Sequence, residues 1–195
     1  MENLLPYDGQ VNYYGPIMPA AHATRYYDAL WHSIAWQHDQ AVIFGRKVVT
    51  KRKVAWYADQ PYSYTYSKTT KTALPWIALL QELKAIAETT SAETYNACLL
   101  NLYHDGSEGM AWHRDEERDL KRDGAIASLS FGAERKFAFK HRTSKQTRSV
   151  VLQHGSLLVM KGTTQSHWLH RLPTTKKVDS PRINLTFRTI DCDAN

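Results

Sequence analysis

The chain has 195 residues, 43% hydrophobic and 23% charged, a balance that fits one folded domain and excludes a disordered or fibrous chain. No apolar run approaches the roughly 20 residues of a membrane-spanning helix, and the first residues lack the basic and apolar regions of a secretory leader, so neither membrane insertion nor secretion is expected. Two cysteines make no disulfide framework, which points to a reducing home, cytoplasmic or nuclear; a formal charge of +6 with six Trp and eleven Tyr favours a polyanionic partner with bases to stack.

Residues 1–19 read as an irregular lead-in, broken by Pro6, Gly9, Gly15 and Pro19. Residues 19–36 carry Tyr27, Leu30, Trp31 and Ile34 at helical spacing, which gives one apolar stripe. A short strand at 41–45 ends in a turn, residues 46–56 are basic and β-rich, and Tyr62, Tyr64 and Tyr66 alternate with period two. Pro75 suits the first position of a second helix, with Trp76, Leu79, Leu80, Leu83 and Ile86 as its buried face. From Tyr95 onward the pattern is of strands at 97–103, 125–131, 136–140, 149–153, 156–161, 166–172 and 182–190, with no helix signal after residue 90. Cys98 falls in an apolar run and reads as a small core residue. Two helices followed by seven short strands point to an α+β, mainly β fold: a single domain with a double-sheet jelly roll, buttressed by two helices in the N-terminal half. Residues 1–90 are then an N-terminal extension and 91–195 the core.

The chemistry centres on His113-Arg114-Asp115. In an extended segment the side chains of His113 and Asp115 share a face while Arg114 turns away. Two imidazoles and one carboxylate on one side of a metal, with other positions open, are diagnostic of non-haem Fe(II) oxygenases. Of nine histidines, His22, His32 and His38 belong to the first helix region, His104 points away from the face Tyr103 uses, and His141 and His154 sit at turns. His167 and His170 remain for the second imidazole; they are three apart, so in a regular strand only one faces inward, and periodicity does not choose between them. Arg182 and Arg188 are six apart and can look into one cavity with Asn184. Buried arginines need anions, and the planar fork of Arg matches a carboxylate, so a small dicarboxylate fits; Asn101 and Tyr103 can add neutral donors.

Taken together, Asn101-Leu102-Tyr103, the run from His113 to Arg118, Ile126 to Gly132, His154 to Leu158, His167 to His170 and Pro181 to Arg188 closely resemble the AlkB-like dioxygenases. These are Fe(II)- and 2-oxoglutarate-dependent enzymes that demethylate alkylated nucleic-acid bases. The resemblance covers roughly residues 40–190 and is nearest the branch that acts on double-stranded DNA. It implies a double-stranded β-helix core and an N-terminal half bearing nucleotide-recognition hairpins. It implies His113, Asp115 and His170 as iron ligands. Asn101, Tyr103, Arg182, Asn184 and Arg188 match the 2-oxoglutarate pocket, with Arg182 and Tyr103 at the distal carboxylate and Arg188 near the metal-bound end. With O2 as the other substrate, the implied products are succinate, carbon dioxide and formaldehyde, from lesions such as 1-methyladenine and 3-methylcytosine in DNA. A base must be flipped out of the stack for this. The resemblance gives Tyr66, where relatives carry Phe, and His113 as the walls of its pocket, with Tyr64 alongside. It gives Glu117 at the base edge, Phe44 as a duplex wedge and Arg52 as a phosphate contact. The rival readings are the same chemistry on RNA or protein, a non-catalytic nucleic-acid-binding module, and a zinc hydrolase; a monomer is expected.

Overall fold

The computed structural model of the chain describes residues 2–43, 46–66 and 69–191. Strand β1 (Gln10–Pro16) precedes helix α1 (Ala20–Ser33), and β2 (Gln37–Ile43) pairs antiparallel with the long β3 (Arg46–Ala58). The pair β4 (Ser63–Tyr66) and β5 (Thr69–Thr72), the short β6 (Leu74–Pro75) and helix α2 (Ala78–Ser91) follow. Then come β7 (Ala97–Tyr103), β8 (Met110–His113), β9 (Ile126–Gly132), β10 (Arg135–His141), β11 (Thr147–Leu152), β12 (Ser156–Lys161), the one-turn helix α3 (Thr164–His167), β13 (Trp168–Leu172) and β14 (Arg182–Arg188).

These strands form a jelly roll of two sheets. The larger runs β1-β12-β9-β14-β7-β3-β2 with β6 beside β3, and the smaller runs β11-β10-β13-β8. Period-two alternation gives the larger sheet two unlike faces. Leu100, Leu102, Leu129, Phe131, Ile183, Leu185 and Phe187 pack with Ala23 and Leu30 of α1 and Leu80, Leu83 and Ala87 of α2 in one buried cluster. Each of the Leu, Ile and Phe side chains contributes roughly 1.5–3 kcal/mol by its burial. The alternate positions Asn101, Tyr103, Ser128, Ser130, Arg182, Asn184 and Arg188 are polar and equally buried, and they face the smaller sheet. All seven residues of β14 are buried, because a helix layer covers one face and a second sheet the other. A second cluster, with Val11, Ile126, Phe139, Leu152, Leu158, Met160 and Trp168, closes the far end between the sheets.

Three expectations are corrected. The lead-in contains a strand: β1 lies antiparallel along β12, with Val11 opposite Met160, and Gly15, at φ 67, takes up a bulge after Tyr13. The glycine that looked like a breaker lets the strand continue past the irregularity. Pro75 does not open α2; it ends β6, which runs parallel to the end of β3, and the helix starts at Ala78. Trp76 therefore lies off the helix and stacks on Phe187 at 6.5 Å. A helix does follow residue 90: α3 is one turn, too short to show a period. The larger sheet draws on both halves of the chain: β1, β2, β3 and β6 share it with β7, β9, β12 and β14.

Candidate active site

Strands β8 and β13 are antiparallel neighbours, and His113 lies opposite His170. Their rings are 4.2 Å apart and cross at 68°. Asp115 is off the strand, because β8 ends at His113; its backbone N–H donates to Gln165 Oε1 at 3.0 Å, so α3 fixes the loop that carries the carboxylate. The ligand atoms of His113, Asp115 and His170 lie within 4.8 Å of one another. His113 Nδ1 is 2.8 Å from the Ala111 carbonyl, which can only accept, so Nδ1 holds the proton and Nε2 keeps its lone pair for a metal. The choice between His167 and His170 is also settled by geometry. His167 ends α3 and is exposed, whereas His170 points inward from β13 and is buried.

Electrostatics favour cation binding. Burial pushes the His170 imidazole down to about 4, against the pull of Asp115 and with help from His113 and Arg188. Burial alone would raise Asp115, but Arg188, His170 and His113 outweigh it and hold the carboxyl below its usual range. A neutral imidazole and an ionised carboxylate are the forms that ligate metal.

A cavity of about 430 Å³ opens beside this trio. On its wall Arg182 sits opposite Tyr103, and Asn184 opposite Asn101, across the β14–β7 register. Arg182 is 2% exposed. Its Nη2 donates to Ser130 Oγ at 3.0 Å and its guanidinium lies 5.6 Å from the Tyr103 ring centre. Burial, opposed by Tyr103 and assisted by Arg135, lowers it to about 10, so it is still a cation at neutral pH. Among the described residues no carboxylate pairs with Arg182, and its Nε meets no acceptor. The buried Oδ1 of Asn101 also has no partner. Asn184 spends its amide on Ser128 Oγ and the Leu129 carbonyl, at 2.8 and 3.2 Å. Arg188 lies 3.7 Å from Asp115 Oδ2 and 3.4 Å from Glu117 Oε1. A buried guanidinium without a counter-charge, next to a trio of metal-ligating groups, fits Fe(II) with a dicarboxylate chelated beside it.

The expected substrate residues are less uniform. Arg52 is not on a solvated face. Alternation along β3 turns Arg52, Val54 and Trp56 into the cavity, where Arg52 ion-pairs with Asp39 and its Nη1 lies 3.3 Å from Met110 Sδ. Lys51, the neighbour, is the exposed one. Glu117 lines the same cavity, tied to Arg188. Phe44 lies outside the described residues; Tyr64 and Tyr66 are on the backbone of β4, and their side chains lie outside the description. Sequence reasoning missed Asp39, Gln165, Ser128 and Ser130. The two serines had a signal: they are polar residues at alternate positions within the apolar strand Ile126–Gly132.

Residues 10–188 match the family model described as the 2OG-Fe(II) oxygenase superfamily. The chain is 42% identical over 156 residues to the DNA oxidative demethylase ALKBH2 of Homo sapiens, covering 76% of this chain and 60% of that protein. It is 36% identical over 173 residues to the human alpha-ketoglutarate-dependent dioxygenase alkB homolog 3, covering 84% of this chain and 60% of that protein. The chain thus spans about 60% of the length of these curated relatives. A solved chain described as the structure of OsALKBH1 shares the fold at a TM-score of 0.65 and 14% identity, covering 95% of this chain and 98% of that one. With the model matched across both sheets and the metal-ligating trio, the chain belongs to the 2OG-Fe(II) oxygenase superfamily.

Proposed function

We propose that the chain is an Fe(II)- and 2-oxoglutarate-dependent dioxygenase that removes methyl groups from N-alkylated bases in DNA. The observation that carries this reading is the junction of a His-Asp-His trio, with His170 buried and His113 and Asp115 half-buried, with the anion-seeking guanidinium of Arg182. Support for the DNA substrate comes from the name of the ALKBH2 relative and from the basic charge of +6.

His113 Nε2, a carboxylate oxygen of Asp115 and His170 hold the iron in this scheme. Bound Fe(II), with O2 and 2-oxoglutarate, supplies the oxidising power that hydroxylates an N-methyl carbon, from which formaldehyde is lost. The protein supplies the rest. Arg182, its plane fixed by Ser130, grips the distal carboxylate of the keto acid, and Tyr103 and Asn101 offer neutral contacts from the neighbouring strand. Arg188 holds the Asp115 carboxylate in its orientation and keeps it ionised. Glu117, held by Arg188 on the cavity wall, places a negative charge where a cationic methylated base would enter.

The test is succinate and formaldehyde release on methylated duplex DNA, methylated single-stranded DNA and methylated RNA. Equal amounts of both products, dependent on Fe(II) and on methylated DNA, are expected. Asp115→Ala should abolish turnover while circular dichroism stays native. Turnover of methylated RNA alone, or full activity in Asp115→Ala, contradicts the proposal.

A further inference from the structure

A second trio of metal-ligating groups lies away from the cavity. Asp8 precedes β1, His141 ends β10 and His167 ends α3, and their ligand atoms lie within 4.8 Å of one another. His141 is 5% exposed, and its Nε2 has no hydrogen-bond partner. That nitrogen faces Asp8 Oδ2 across 3.4 Å, without hydrogen-bond alignment. A tetrahedral centre with bonds of about 2.1 Å sets its ligands roughly 3.4 Å apart. The spacing of Asp8 and His141 already matches that geometry, and the exposed His167 side chain can turn to complete it.

The other nitrogen of His141 has an acceptor within reach. Nδ1 lies 2.9 Å from Ser144 Oγ, which lies 2.6 Å from the Tyr7 hydroxyl. The Ser144 N–H donates to Nδ1 at 3.0 Å, which leaves the ring proton on Nε2. A cation at Nε2 moves that proton to Nδ1, which then donates to Ser144 Oγ, and the Ser144 amide gives up its contact. Ligating histidines are fixed by outer hydrogen bonds of this kind. Asp8 is held in place as well. The Tyr7 ring meets His141 edge-on at 5.0 Å, and Trp168 Nε1 donates to the Tyr7 carbonyl. Two cations share the corner, but the Arg142 guanidinium donates to the Ser166 carbonyl and Lys145 Nζ to the Arg142 carbonyl.

We infer that Asp8, His141 and His167 form a structural site for a borderline divalent cation, Zn(II). Two imidazoles and a carboxylate, with a fourth position open to water, suit that ion. The site ties the N-terminal loop to β10 and α3. Helix α3 holds the Asp115 amide through Gln165 and leads straight into the strand of His170. A cation there braces the segment that positions two of the three groups of the catalytic trio.

Calorimetric titration of the metal-free full chain with Zn(II) tests this. The wild type should take two equivalents, and His167→Ala one. Asp8→Asn should bind its second equivalent at least about tenfold more weakly. Both substituted residues are exposed, so both variants should keep the native circular dichroism. His167→Ala should also retain Fe(II)-dependent turnover while losing part of the rise in Tm that Zn(II) gives the wild type. A single equivalent in the wild type, or the same Zn(II) stoichiometry and affinity in both variants, overturns the inference.

Discussion

Among the described residues Arg182 has neutral partners alone, the Ser130 hydroxyl and the Tyr103 ring, and an Nε that meets no acceptor. An unpaired buried charge is destabilising by several kcal/mol until an anion neutralises it. Arg182→Met should therefore leave the Tm of the ligand-free chain unchanged or raised. It should weaken 2-oxoglutarate by about 100-fold, the equivalent of about 3 kcal/mol for a charged pair. Thermal shifts with and without 2-oxoglutarate read both effects, and a large fall in the ligand-free Tm would count against the unpaired-charge argument. His170 gives a pH dependence with a definite sign. Its folded pKa of about 4 lies below the usual 6.5, so the unfolded chain takes the proton first. Its contribution to the stability of the metal-free chain is whole above pH 6.5 and is lost as pH falls toward 4. Between pH 7 and 5 the loss is about 2 kcal/mol. Urea unfolding at the two pH values measures it, and His170→Asn should remove that part of the slope.

At the scale of elements, helix α3 is small but holds the site together. Gln165 on α3 accepts from the Asp115 amide, and β13 begins at the residue after the helix. Gln165→Ala should weaken Fe(II) roughly tenfold while the far-ultraviolet spectrum stays unchanged, as read by metal titration; unchanged affinity would remove α3 from the account. α3 was also the element least visible in the sequence, because one turn shows no 3.6-residue period. Strands such as β7 and β12 were legible to the residue, since turn residues bound them and their apolar positions are dense. β1 was not, because Gly15 reads as a breaker when it is a bulge within the strand. The His113–Asp115 pairing was read from strand alternation, yet the structure reaches it through a strand end and an irregular loop. The His167–His170 ambiguity arose from treating as one strand what is a helix end followed by a strand.

For the molecule as a whole, the charge of +6 was a sequence property, but the place of each cation was not. Arg52 reads as part of a basic run, and only the β3 register turns it toward Asp39 while Lys51 stays outside. The charge itself leads to a test. The KM for methylated oligonucleotide should rise roughly tenfold or more between 50 and 200 mM salt, because phosphate binding releases counterions. The KM for 2-oxoglutarate, held in a buried pocket, should move far less. A nucleotide KM that ignores salt would leave the basic surface without a role. One cavity joins a metal trio to an anion clamp. The most direct measurement is anaerobic titration of the Fe(II)-loaded chain with 2-oxoglutarate, followed by the visible charge-transfer band of a chelated keto acid. The band should saturate in the wild type, need about 100-fold more 2-oxoglutarate in Arg182→Met, and vanish in His170→Ala. A band undiminished in His170→Ala, or unshifted in Arg182→Met, would contradict the account.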